Sequence, residues 1–421
     1  MKKTKKRSVF CSVFLSVLFA TIFAFLFSNN NIHTDAATST VGLDTTYHTQ
    51  DEIRNYIKNH PVNNPPVKFD ETPSAVSPYS LGKVSDESLN DALNYLNCYR
   101  YISGVNPVTI SDESQELAQA AALILAANRS LSHSPTKPSG MSDSLYSKCL
   151  RGCANSNIAG GSDYITDTID RYMLEINGDA NYGHRRQLLD YDMTTTGFGC
   201  AISSSGGSYG ATYIDANLRE NKVVSYPGTN QPLEFFGTGY MWTIIVPQKV
   251  DSSSIKITIK DVKKNKTWTF TEAASDGFLR LDTGYNTTCV MLYPNDILYR
   301  NGDKYQVNIT GIPTPISYEV NMFYGKDVVP VESVNIPYGT SVYVDKPGVE
   351  SSYSTATLTA KVQPSNASNP IVNWTSSDDS IAYPVFNGSN SCKIVGVKPG
   401  TVTFTATTEE GGFTDTVSVS V

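Results

Sequence analysis

Histidine is scarce in this sequence, with five in 421 residues. Each position is therefore informative, because imidazole binds metals and moves protons near neutral pH. Long apolar runs are also scarce. After the one from Val9 to Phe27 no second run follows, which excludes a chain that crosses a membrane repeatedly. No tandem Cys-x-x-Cys spacing occurs, which weighs against a four-cysteine zinc site. No Gly-x-Ser-x-Gly elbow surrounds Ser132, so a serine nucleophile beside His133 is disfavoured.

What is present begins with Lys2, Lys3, Lys5, Lys6 and Arg7, then the apolar run, then small residues around Ala36. That order predicts a secretory signal over residues 1–36. The run is also long enough to act as an uncleaved anchor, since roughly 20 residues span a bilayer. Cleavage after Ala36 removes five basic residues and one acidic one, leaving 28 Lys and Arg against 39 Asp and Glu, a net charge of −11. An acidic exported chain without a basic tract is expected to bind no nucleic acid and, once cleaved, to have no membrane span. Four histidines remain. His48 and His60 lie in a polar leader, whereas His133 and His184 stand at motif edges.

Residues 37–85 are rich in Pro, Asn, Ser and Thr, and read as a linker or a segment draped on the next domain. Helical spacing follows in Leu89, Ala92, Leu93 and Leu96, and again after a cap at Ser111 in Leu117, Ala121, Ile124 and Leu125. A loop carrying His133 comes next, then a third stripe through Ile165, Ile169, Tyr172, Met173 and Ile176. A helical turn is expected around His184 to Leu189. A strand starts at Thr196, and Gly206-Gly207 turns into a return strand at Ala211–Ile214. Helices followed by antiparallel strands predict an α+β layered domain. Beyond Tyr226 short strands alternate with turns, which predicts two all-β sandwich domains, over 225–325 and 330–421. The six cysteines outside the leader leave several pairings open, Cys149 with Cys153 and Cys98 with Cys200 among them.

The first domain, over 86–220, resembles the CAP superfamily of cysteine-rich secretory, antigen 5 and pathogenesis-related proteins, in its bacterial secreted branch. The residues that carry this are Leu96-Asn97-Cys98-Tyr99-Arg100, Leu131-Ser132-His133, Ser156-Asn157-Ile158-Ala159, Gly183-His184-Arg185-Arg186-Gln187-Leu188-Leu189 and Thr196-Gly197-Phe198-Gly199, in that order. The last block resembles a bacterial group 2 immunoglobulin-like domain through Val372-Asn373-Trp374-Thr375-Ser376-Ser377-Asp378, Ile381-Ala382 and Val397-Lys398-Pro399-Gly400-Thr401. The middle block looks like an extension appended to bacterial CAP domains.

The CAP resemblance implies an α-β-α sandwich with a cleft lined by two histidines and two acidic residues, in which the histidines often hold zinc. His133 and His184 match the histidines, and Glu175 matches one acid. The other acid's position is Ser156 here, so the set is incomplete. Asn157 is expected to tie loop backbone groups together. The cleft is thus His133, Ser156, Asn157, Glu175 and His184, with His133 and His184 as zinc ligands. Candidate catalytic groups are His133, Glu175 and His184. Of Arg185 and Arg186, at least one is expected to be solvated. The leading expectation is a secreted binding protein for a small apolar ligand or an extracellular partner protein. The alternatives are a zinc-dependent extracellular hydrolase and a cell-surface adhesin.

Overall fold

The computed structural model describes residues 42–161, 163–174, 183–215, 222–237, 239–283, 287–337, 339, 355–386 and 390–421. The expected signal over 1–36 lies outside them. No helix among the described residues is long and apolar enough to cross a membrane.

The segment before the first domain contains more structure than its composition suggests. Thr49 and Glu52 form a reciprocal capping box, which starts helix α1 (Gln50–Asn59) and buries Ile53 and Ile57. Four rings then stack in series. His48 lies 3.8 Å from Tyr101, Tyr101 4.0 Å from Tyr56, and Tyr56 4.0 Å from His60, between centroids. Backbone bonds from Thr46 N to the Gly104 carbonyl (2.9 Å) and from Asp44 N to the Val223 carbonyl (3.2 Å) complete a strap. The prolines that suggested a linker start at Pro61, after the helix has ended.

A short hairpin, β1 (Phe69–Glu71) with β2 (Lys83–Val84), leads into helix α2 (Asp86–Ile102), capped by Ser85. Strand β3 (Thr109–Ile110) precedes α3 (Asp112–Asn128), which Ser111 caps as its sequence predicts. The loop region after His133 also contains α4 (Asp143–Ala154), which the apolar spacing leaves unannounced because only Cys149, Gly152 and Cys153 are buried along it. Next come β4 (Ser156–Gly160), α5 (Ile165–Leu174), α6 (His184–Leu188), β5 (Thr195–Ile202) and β6 (Ser208–Ile214). The sheet order is β3-β5-β6-β4, with β3 parallel to β5 and the other neighbours antiparallel.

Alternation along the strands splits the sheet between two helical layers. Ile158, Ala201 and Ala211 pack with α3 and α4, while Ala159, Phe198, Cys200 and Ile214 pack with α2 and α5. The first contact is backbone against backbone. A Cβ on Gly197 would lie 2.3 Å from the Ser114 carbonyl oxygen, and one on Gly199 only 2.1 Å from that of Ala118. Beyond the two residues paired with β3, the outer edge of β5 is satisfied by glutamine side chains. Gln115 exchanges bonds of 2.8 and 2.9 Å with Phe198, and Gln119 exchanges bonds of 2.9 and 3.1 Å with Cys200.

Cys98, Cys149, Cys153 and Cys200 are buried free thiols, so neither Cys149 with Cys153 nor Cys98 with Cys200 is paired. Cys149 and Cys153 are one turn apart on α4, and burial pushes the thiols of Cys98, Cys149, Cys153 and Cys200 up to about 12.

The middle domain is a sandwich of two sheets. One has the spatial order Lys266–Phe270, Lys256–Asp261, Lys304–Thr310, Ile316–Phe323 and Asn230–Pro232; the other has Gly277–Asp282, Thr288–Pro294, Trp242–Val246 and Val224–Tyr226. It meets the first domain through aromatic rings, with Tyr99 in contact with Tyr226 and Phe235. At this junction the Asp170 carboxylate accepts from the hydroxyls of Tyr95 (2.5 Å) and Tyr99 (2.6 Å). The last domain packs Leu358, Ile394, Phe404 and Val419 between its sheets, and Arg300 of the middle domain pairs with its Glu409 at 2.5 Å.

Replacing Gly199 by alanine is expected to destabilise the full chain by about 1–3 kcal/mol through overpacking against α3. Ser205→Ala, on the exposed β5–β6 turn, serves as a near-neutral control. Denaturant unfolding of both variants checks this, and equal midpoints would show that the sheet can withdraw from the helix.

Candidate functional site

The two histidines that the sequence singles out are carried by different elements. His133 is exposed in the loop after α3, and its Nδ1 lies 2.7 Å from the Cys153 carbonyl oxygen at the end of α4. A carbonyl only accepts, so Nδ1 carries the proton and the neutral ring presents Nε2 as a free lone pair. His184 opens α6, half-buried, with its ring 5.1 Å from that of Tyr172 on α5. Its carbonyl accepts from Asn157 Nδ2 at 3.2 Å. Asn157 therefore has the backbone-tying role expected of it, fixing the start of the turn that carries His184.

The pKa of His184 is lowered below the ordinary 6.5. Burial is the main cause, and the nearby charge on protonated His133 is the second. Both causes favour the neutral ring of His184, the form that ligates a metal or accepts a hydrogen bond.

Ser156 is buried, and alternation along β4 turns its hydroxyl away from the face that carries Asn157. Its Oγ makes no hydrogen bond. Glu175, the expected acid, lies outside the described residues. Among the described residues no three His, Cys, Asp or Glu side chains converge on a common point. A catalytic zinc site needs three protein donors and an open position, so the two described imidazoles do not by themselves complete one.

The arginine expectation needs correction: Arg185 and Arg186 are both 1% exposed. The Arg185 guanidinium donates to the carbonyls of Met173 (2.6 Å) and Met241 (2.5 Å), and lies 5.0 Å over the Tyr226 ring. It ties the end of α5 to the middle domain. Two further polar groups behind the cleft had no sequence signal. The hydroxyls of Tyr172 and Thr212 are buried without hydrogen-bond partners, and Thr212 sits opposite Asn157 across the β4–β6 pair. The strand register alone brings Thr212 to Asn157.

A three-layer α-β-α domain followed by β-sandwich modules defines a modular protein. Residues 93–214 are a CAP domain, matching the cysteine-rich secretory protein family, and residues 340–419 are a bacterial Ig-like domain of group 2. A stretch of 103 residues is 38% identical to part of an alpha-L-arabinofuranosidase of Bifidobacterium longum subsp. longum, covering 24% of this chain and 9% of that protein. Another 57 residues are 53% identical to an uncharacterized protein of Clostridium acetobutylicum, covering 14% of this chain and 6% of that one. The chain thus spans less than a tenth of the length of the curated relatives it matches. Among solved structures, the N-terminal Ig1-2 module of Drosophila receptor protein tyrosine phosphatase DLAR aligns at TM-score 0.15 and 12% identity, covering 43% of this chain and 88% of that one. Domains 4 and 5 of the S-layer protein SbsC align at TM-score 0.18 and 18% identity, covering 53% and 88%. Scores this low carry no argument about this chain.

Because the pKa of His184 is lowered, the unfolded chain takes up that proton first. Its contribution to stability is intact above the unfolded value of 6.5 and is lost as pH falls through that value toward the folded one. NMR titration is expected to find His184 below 6.5 and to show a partial upward shift in His133→Ala, since burial persists. An unmoved value would separate the two rings.

Proposed function

We propose that this is an extracellular binding protein whose CAP domain captures a small apolar ligand or a partner protein at the His133–His184 cleft. The Ig-like module and the middle sandwich then act as spacer and adhesion units. The observation that carries this reading is the composition of the cleft. His133 and His184 are its two imidazoles, while the position of the second family acid holds Ser156, whose hydroxyl is buried away from the Asn157 face. A recognition surface needs shape and a few polar groups, and imidazoles supply hydrogen-bonding nitrogens on an otherwise apolar ring. Hydrolysis needs a positioned base as well, and a serine in place of a carboxylate is a poor one at neutral pH. Export is the reading of the N-terminal residues, supported by the bacterial Ig-like match.

One observation favours a second reading, a zinc-dependent hydrolase. The bond from His133 Nδ1 to the Cys153 carbonyl is of the kind that orients a metal-ligating imidazole. Calorimetry with zinc, followed by panels of peptides, esters and glycans, discriminates the two. The binding reading expects no turnover with zinc added, and saturable binding of an uncharged dye such as Nile red that weakens in the His133→Ala, His184→Ala double variant. Chelator-sensitive turnover that the double variant loses would replace it with the hydrolase. Dye binding unchanged by the double variant would remove the cleft as the capture site.

A further inference from the structure

A cavity of about 590 Å3 lies where the strap helix α1, helix α2 and the middle domain meet, built from residues other than those of the histidine cleft. Its floor is apolar: Ile57, Cys98 and Phe235 are 8%, 1% and 3% exposed. Its rim carries Lys58 and Lys326, two exposed ammonium groups with no ion-pair partner among the described residues. Other rim charges are already engaged or single. The Arg54 guanidinium pairs with Asp51 at 2.8 Å and lies 4.8 Å over the Phe323 ring, and Asp327 is the one carboxylate in the lining.

The most telling detail is Glu234. Its carboxylate oxygens accept from the backbone N–H groups of Gly325 (2.9 Å) and Lys326 (3.0 Å), so it fixes the segment that carries Lys326 without engaging the ammonium. Lys326 is exposed and Cys98 is 1% exposed, and both line the cavity. Two side-chain amides complete the wall. Asn301 accepts from Tyr324 N through Oδ1 at 3.2 Å, which leaves its NH2 to donate, and the exposed Asn55 also belongs to the lining.

A cationic rim over an apolar floor, in a chain of net charge −7, calls for a ligand with one anionic end and an apolar body. The amides call for a ligand with backbone-type hydrogen bonds as well. We propose that this cavity receives the C-terminus of a peptide or partner protein that ends in an apolar residue. The terminal carboxylate meets Lys58 and Lys326, the last side chain sits on Ile57, Cys98 and Phe235, and the preceding amide pairs with Asn301. This goes beyond the histidine-cleft reading and does not depend on it.

Fluorescence anisotropy of the full chain with a labelled peptide ending in Gly-Ala-Leu tests it, using the free acid, the C-terminal amide and a version ending in Asp. The expected result is saturable binding of the free acid, about tenfold weaker for the amide and weaker again for the Asp peptide. Lys58→Gln and Lys326→Gln, both on exposed side chains, are expected to lower affinity several-fold, with circular dichroism reporting an intact fold. The His133→Ala, His184→Ala variant is expected to bind as the parent does, so a failed histidine cleft leaves this result standing. Equal binding of acid and amide, no saturable binding of the free acid, or binding of decanoate in its place would overturn the proposal.

Discussion

Strand β5 lies directly on the backbone of α3, and most of the first domain follows from that contact. Without side chains at Gly197 and Gly199 the strand approaches until only hydrogen atoms separate it from the carbonyls of Ser114 and Ala118. Past the two residues paired with β3, the outer edge of β5 has no strand partner among the described residues, and a bare edge would strand buried N–H and C=O groups. Gln115 and Gln119, one turn apart on α3, answer it. Each amide offers one donor and one acceptor to one residue of β5, as a neighbouring strand would. With β5 fixed, β6 and then β4 follow by antiparallel pairing, and β4 delivers Asn157 to the His184 backbone.

Buried arginines hold the irregular parts around that core. Arg100 is fully buried and donates to the carbonyls of Asn106 (2.7 Å), Leu188 (2.7 Å), Asp190 (3.1 Å) and Met193 (3.1 Å). A desolvated guanidinium is costly unless its donors are used, and loop carbonyls have the same need for partners. One side chain therefore meets both demands and fixes the path from α6 into β5. Arg185 does the same between α5 and the middle domain, so the residues flanking His184 are held by a neighbouring module as well as by the CAP domain itself.

This logic separates what the sequence discloses from what it conceals. The helices α2 and α3, the hairpin of β5 and β6, and both β-sandwich modules are legible because apolar periodicity and turn residues are local signals. Helix α4 is concealed because it buries a glycine and two cysteines in place of an aliphatic stripe. Helix α1 is concealed because Ile53 and Ile57 are its only buried residues, amid a proline-rich composition. The histidines were legible by rarity and motif. The backbone-tying character of Asn157 was legible too, but its target at the His184 carbonyl and the Cys153 carbonyl beside His133 were not, because both meet their partners only through tertiary structure. Arg185 and Arg186 show the limit of charge as a guide: side chains that read as solvated are buried as ties between loops.

The histidine cleft and the lysine-rimmed cavity work through different physical terms. Burial keeps the His184 ring neutral at pH 7, so the cleft offers directional nitrogen atoms and little field. The cavity offers the reverse, two unpaired ammonium groups whose attraction is weakly directional, over a floor whose apolar contact supplies affinity. Charge attraction of this kind fades over roughly 8 Å at physiological ionic strength. An anionic ligand must therefore come close before the lysines outweigh the net negative charge of the chain. That requirement favours a carboxylate carried at the tip of a segment able to enter the cavity over one spread along a surface. Because the strap helix supplies Ile57 and Lys58, the cavity exists only when that helix is docked. The polar leader thereby becomes part of a recognition surface that neither the CAP domain nor the sandwich holds alone.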